Sequence, residues 1–142
     1  MFSKEESRKL REEFWTSFGK SFPRKWILYN TKIKDFSFKF YFDTKKAGVT
    51  LDIESQDLKN RIHYYQKLES LKSILLEEYL PGAIFEDVFF LDNRKEISRI
   101  YVEKTGVSVH NKKSWREAME FLNENMLLFE AFYREYEDII KS

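Results

Sequence analysis

Few residues in this chain could do chemistry, and three carboxylates come first. Asp35 precedes a run of alternating aromatics, while Asp52 and Glu54 share one face of the segment that follows. In the restriction-endonuclease-like fold, one strand brings an acid and the next an acid-x-Lys pair, which hold Mg²⁺ and activate a water. Here the Lys position of that pair is Glu54, and Lys39 stands ready to neutralise Asp52 across the strands. A metal-dependent nuclease with Asp35, Asp52 and Glu54 as its catalytic set is therefore the alternative reading. Other chemistries are closed more firmly. The chain has no Cys, which removes thiolate nucleophiles, disulfides and zinc fingers. His63 and His110 are far apart, and neither has a second ligand at metal spacing. No Ser lies in a Gly-x-Ser-x-Gly elbow, and Gly19, Gly48, Gly82 and Gly106 are too isolated to cradle a phosphate. No resident metal or cofactor is expected.

Binding chemistry has a better foothold. Residues 20–34 carry Lys20, Arg24, Lys25, Lys32 and Lys34 without an acid, interleaved with Phe22, Trp26 and Tyr29. Cations that neutralise phosphates beside rings that stack on bases suit single-stranded nucleic acid. The competing reading is a connector whose rings pack on the core while its charges face water. From Ser114 onward acids outnumber bases, so that surface would repel a polyanion. Lys+Arg 25 against Asp+Glu 24 gives a net charge of +1, so no overall field draws nucleic acid or a membrane.

These residues must be positioned by a small fold. The 142 residues suit a single domain, 1–142, with ample surface to bury. The charged N-terminus lacks a signal-peptide core, and no apolar run is long enough for a membrane span, so a cytoplasmic location is expected. Ser3 and Glu6 form a capping box for a helix over 4–18, with Leu10, Phe14 and Phe18 on one stripe. Gly19 is placed to cap it and Pro23 to stop it.

Phe36, Phe38, Phe40 and Phe42 alternate with polar residues, as do Val49, Leu51 and Ile53. A turn over Thr44-Lys45-Lys46-Ala47 closed by Gly48 would place Phe42 opposite Val49 and Lys39 opposite Asp52. A helix is expected from Ser55 to Tyr79, ended by Pro81-Gly82. The second hairpin, 84–103, is less regular: Phe85, Phe89 and Leu91 share one face, Val88 and Phe90 the other. Such a hairpin is either covered on both sides or meets a partner, so a homodimer is expected. Ser114 and Glu117 cap a final helix whose Leu122, Met126, Phe129, Tyr133, Tyr136 and Ile140 form one seam, with a break expected at Asn123-Glu124-Asn125. The fold class is α+β: an antiparallel four- or five-stranded sheet packed by helices, in the order α(β)ββαββα, the bracketed strand lying at 26–29.

Phe14-Trp15-Thr16-Ser17-Phe18-Gly19, Trp26 with Tyr29-Asn30-Thr31 and Ile33-Lys34, Ile97-Ser98-Arg99-Ile100-Tyr101, and Gly106-Val107-Ser108-Val109 with Asn111-Lys112 and Trp115 resemble the motifs of the bacterial family called domain of unknown function 4268. The resemblance spans Phe14 to Ile140, and the Ile-Ser-Arg-Ile-Tyr run is its most specific part. Lys32 departs from it, standing where the family usually has Gly, and Arg116 stands where it has Pro. The resemblance implies no catalytic residue. Its relatives occur alone or fused behind nuclease-like domains, which implies an accessory role near nucleic acid or a nuclease-like partner. The leading reading is thus a non-enzymatic binding domain, with Lys25, Trp26, Tyr29, Lys34, Arg99 and Tyr101 as its candidate surface.

Overall fold

A computed structural model describes residues 2–142. Helix α1 (Lys4–Ser21) opens with both arms of the Ser3–Glu6 capping box in place. It runs past Gly19, because the Phe22 N–H still donates to Phe18 O, and Pro23 then ends it. Strands β1 (Phe36–Phe42) and β2 (Lys46–Ile53) follow, then α2 (Leu58–Ser70), α3 (Lys72–Ile74) and a π-helical turn over Leu75–Tyr79. Strands β3 (Ile84–Phe90) and β4 (Glu96–Thr105) precede a 3₁₀ turn at Lys112–Ser114 and the long helix α4 (Trp115–Lys141). The four strands form one antiparallel sheet in the order β1-β2-β4-β3. The class is α+β, as the patterning requires.

Helices cover one face of this sheet and leave the other open. Phe38 meets Phe129 and Tyr133 of α4 at 5.3 and 5.5 Å, and Phe42 meets Phe14 of α1 at 4.4 Å. On the β3 side, Phe85 packs edge-on to Tyr65 of α2 at 6.4 Å. Leu51, Val49, Ile53 and Ile100 of the central strands lie buried beneath them. This single apolar layer holds the domain together, each fully buried Phe contributing about 1.5–3 kcal/mol.

Several expectations need correction. The first hairpin is tighter than expected: Phe42 pairs with Ala47, Phe40 with Val49 and Lys39 with Thr50. Asp43 makes the turn by accepting from the N–H groups of Lys45 and Lys46 at 2.8 Å each. The shift is two residues, so the faces are preserved. Gly48, freed from the turn, lies within β2 opposite Tyr41, where a Cβ would overlap the tyrosine ring.

The expected helix to Tyr79 breaks at Leu71, and the break lets Leu68, Leu71, Leu75 and Leu80 all bury. Helix α4 is instead unbroken through Asn123-Glu124-Asn125. Leu122 and Met126 are fully buried on either side, and that burial outweighs weak local propensity. Its start carries no capping box, for the Ser114 hydroxyl serves Ser108 and Asn111 instead.

Residues 26–29 form no strand; they belong to an irregular connector that lends one carbonyl, Leu28 O, to the Phe38 N–H. In the second hairpin, a bulge between Glu86 and Phe89, pinned by Ser98 Oγ donating to Asp87 O, turns Phe85 toward the helices and Phe89 to the open face. Val88 joins the helical side, lining a groove with Leu58 and Ile62 of α2.

Candidate functional site

Two surfaces gather the candidate residues, and the physical question is which has charge to spare. The first is the open sheet face. Alternation along β2 and β4 puts Asp52, Arg99, Tyr101 and Glu103 on it, with Lys39 and Tyr41 from β1. Asp52 is 0% exposed, and Arg99 grips it with two parallel bonds, Nε to Oδ1 at 2.7 Å and Nη2 to Oδ2 at 2.8 Å. Phe89 lies over the guanidinium, 4.3 Å from ring to cation. Lys39 Nζ adds a contact to Asp52 at 3.4 Å and donates to Glu54 at 2.8 Å, and Lys95 approaches Glu54 at 3.6 Å.

Burial pushes the Glu54 carboxyl up, but the Lys39 hydrogen bond and the charges of Lys39 and Lys95 hold it below its ordinary 4.5. Tyr41 donates to Glu103, which also meets Lys46 at 2.7 Å. Tyr101 donates to Glu86 at 3.1 Å, and burial with that bond pushes its hydroxyl to about 12. A groove of about 380 Å³ lies over Tyr41, Lys46, Phe89, Arg99, Tyr101 and Glu103. Every cation named here already faces a carboxylate.

The same pairing bears on the nuclease reading. Asp52 and Glu54 are both occupied by cations, while Asp35 enters only through its carbonyl, which accepts from the Glu54 N–H at 2.7 Å. Among the described residues no three His, Asp or Glu side chains are grouped to hold a metal ion. Arg99, expected on the candidate binding surface, is instead paired with Asp52, which the β2–β4 register brings opposite it.

The second surface is the connector over residues 22–35. It is fixed from behind by α4. Glu130, 1% exposed, accepts the Ile27 N–H at 2.6 Å and the Arg24 guanidinium at 3.3 Å. Tyr133 donates its hydroxyl to Thr31 O at 2.7 Å. The buried Thr31 hydroxyl in turn donates to Phe36 O and accepts from the Ile33 N–H. Leu28, Lys32 and Asp35 sit at positive φ, +44°, +67° and +59°, a region that disfavours side chains.

Trp26 is half-buried, edge-on to Phe40 at 5.3 Å and covered by Arg24. Tyr29 is 72% exposed. Among the described residues Lys20, Lys25, Lys32 and Lys34 make no ion pair, in contrast to Arg24.

The structure therefore divides the six candidates. Lys25 and Trp26 line a groove between connector and α4, and Tyr29 lines a neighbouring depression with Leu28 and Lys39. Lys34 is exposed beyond both, and Arg99 and Tyr101 lie on the open sheet face.

The motif residues explain much of this geometry. Phe14 and Trp15 brace Phe42, Phe40 and Trp115, Trp115 Nε1 donates to Val109 O, and Arg99 is the clamp on Asp52. The family model described as Domain of unknown function (DUF4268) matches residues 10–137. The chain belongs to this family. No curated protein and no solved structure matches the chain. Among the described residues no helix is long and apolar enough to cross a membrane.

Sequence reasoning missed three contributors in this DUF4268 chain. Glu130 sits one residue off the apolar seam, and its spacing carries no sign of a partner in the connector. Arg134 lines the connector groove from a helix whose overall balance is acidic. Phe89 reaches Arg99 only because of the bulge.

Proposed function

We propose that this chain is a non-catalytic binding module that takes single-stranded nucleic acid along the connector over residues 22–35. The observation that carries the reading is a contrast in charge. Lys39, Lys46 and Arg99 on the open sheet face are met by carboxylates, whereas Lys20, Lys25, Lys32 and Lys34 are not, and Tyr29 stands exposed among them. Unpaired cations release counterions when phosphates arrive, and an exposed ring offers a stacking platform to any base. Fluorescence anisotropy with a labelled oligo-dT tests it. Replacing Lys25 and Lys34 by Glu should abolish binding and flatten its salt dependence; no binding by the unmutated protein at low salt overturns the reading.

A second reading concerns association, and exposed apolar side chains favour it. Leu58, Ile62 and Val88 border one groove, and each is at least 45% exposed. Phe90 beyond them is 61% exposed. A symmetric pairing would cover such a patch. Light scattering decides: a mass of 17.3 kDa held across a dilution series excludes the dimer.

A further inference from the structure

The groove between the connector and α4 is about 270 Å³ in volume and is lined by residues of both. Lys25 and Lys32 line it from the connector and Arg134 from α4, and none has an acidic partner among the described residues. The rim carboxylate, Glu137, already faces Lys141 at 3.3 Å. Glu130, deeper in the same region, is committed to Ile27 and Arg24. Three cations thus converge on one recess with no local carboxylate free to neutralise them.

The walls are fixed before any ligand arrives. The Tyr133–Thr31 and Glu130–Ile27 hydrogen bonds tie connector to helix, and Ile27, Thr31 and Tyr133 all line the recess. Preorganised walls spare a ligand the cost of ordering them. Lys32 is the sharpest sign. It holds φ +67° with a full side chain, where glycine would be unstrained. Strain retained in a conformation that another residue would relieve points to a use for the side chain.

Resting on the reading above, we infer that this groove seats a backbone phosphate of the bound strand, held by Lys25, Lys32 and Arg134, with an adjoining base reaching Tyr29. Arg134 supplies a forked donor from a rigid helix, which suits a phosphate oxygen pair. The two lysines supply mobile point charges from the opposite wall. Lys32 is then a binding residue maintained at the expense of backbone comfort.

The test uses the full chain and labelled single-stranded oligo-dT in an anisotropy salt series. Lys32→Gly and Arg134→Gln should each weaken binding and reduce the magnitude of the slope of log affinity against log salt, by at most about 0.7, the value for one phosphate contact on a single strand. Lys113→Gln, at an exposed lysine on the turn before α4, removes the same charge and should leave both unchanged. Lys32→Gly should also raise the urea midpoint, so its loss of binding cannot come from misfolding. If the unmutated protein binds, but Lys32→Gly and Arg134→Gln keep its affinity and slope, the phosphate seat is wrong while the binding module stands. An equal loss in Lys113→Gln likewise overturns the seat, since only overall charge then matters. If the unmutated protein does not bind, the reading beneath it fails.

Discussion

Removing the Asp52 carboxylate should be among the most damaging single changes outside the apolar core. Asp52→Ala leaves Arg99 with only 15% of its side chain exposed and nothing to accept its two inward N–H bonds. Breaking a buried pair from one side costs about 3–5 kcal/mol. The lower end applies here, because Lys39 retains Glu54 at 2.8 Å and Arg99 retains the ring of Phe89. Arg99→Met should cost a similar amount, since it strands a fully buried carboxylate beside a single lysine at 3.4 Å. The double variant Asp52→Ala/Arg99→Met removes both charges and keeps an apolar stem under Phe89. It should lose only about 1–2 kcal/mol, far less than the sum of the two singles. For a chain of this size 1 kcal/mol moves Tm by roughly 3 °C, so the singles should melt about 9 °C low and the double roughly 5 °C low. Urea titrations at constant m-value measure all four corners of the cycle. Additive singles, or an Asp52→Ala loss below about 1 kcal/mol, would show that the pair is solvated and the reasoning wrong.

Gly48→Ala should destabilise by about 1–3 kcal/mol, because the new Cβ displaces the Tyr41 ring from its place across the strand and breaks its bond to Glu103. Adding Tyr41→Ala to it should recover part of that loss in the same urea assay, and no recovery refutes the steric account. The Glu54 carboxyl, held below its ordinary 4.5 in the folded chain, contributes stability that is present above that value and lost as pH falls through the folded value. The gap in urea midpoint between the unmutated protein and Glu54→Gln should therefore be full at neutral pH and shrink as pH falls below 4.5; an unchanged gap would remove Glu54 from the acid limb.

Most of the fold was legible because period and punctuation agreed. The four alternating Phe of β1 and the seam of α4 each admit one buried face, so the sheet and its helical cover follow from them. What failed to show depended on choices between near-equal local solutions. A two-residue slip in the first hairpin keeps every Phe on the same face, so patterning could not choose between registers; the Asp43 turn and the Tyr41–Gly48 pairing chose.

The β3 bulge reverses faces through one Ser98 hydrogen bond, and the heptad seam overrode the helix-breaking look of Asn123 and Asn125. Of the candidate site, the basic connector and its rings were readable as composition. Their division between two surfaces, and the help of Arg134 and Glu130, required knowing which helix lies behind the connector.

That helix lies late in the chain. The contacts that shape the connector join Ile27 to Glu130 and Thr31 to Tyr133, separated by 103 and 102 positions. During synthesis, α1 and the first hairpin can pair as soon as they emerge, since their partners are close in sequence. The connector between them can meet β1 early through Leu28 O and the Thr31 hydroxyl, but it lacks its ties to Glu130 and Tyr133 until α4 has left the ribosome and docked. Its cations therefore gain their fixed spacing only when α4 docks. Recognition that relies on that spacing is confined to molecules in which α4 has docked, and a chain truncated before Glu130 keeps the basic composition while losing the contacts that hold Ile27 and Thr31 against the helix.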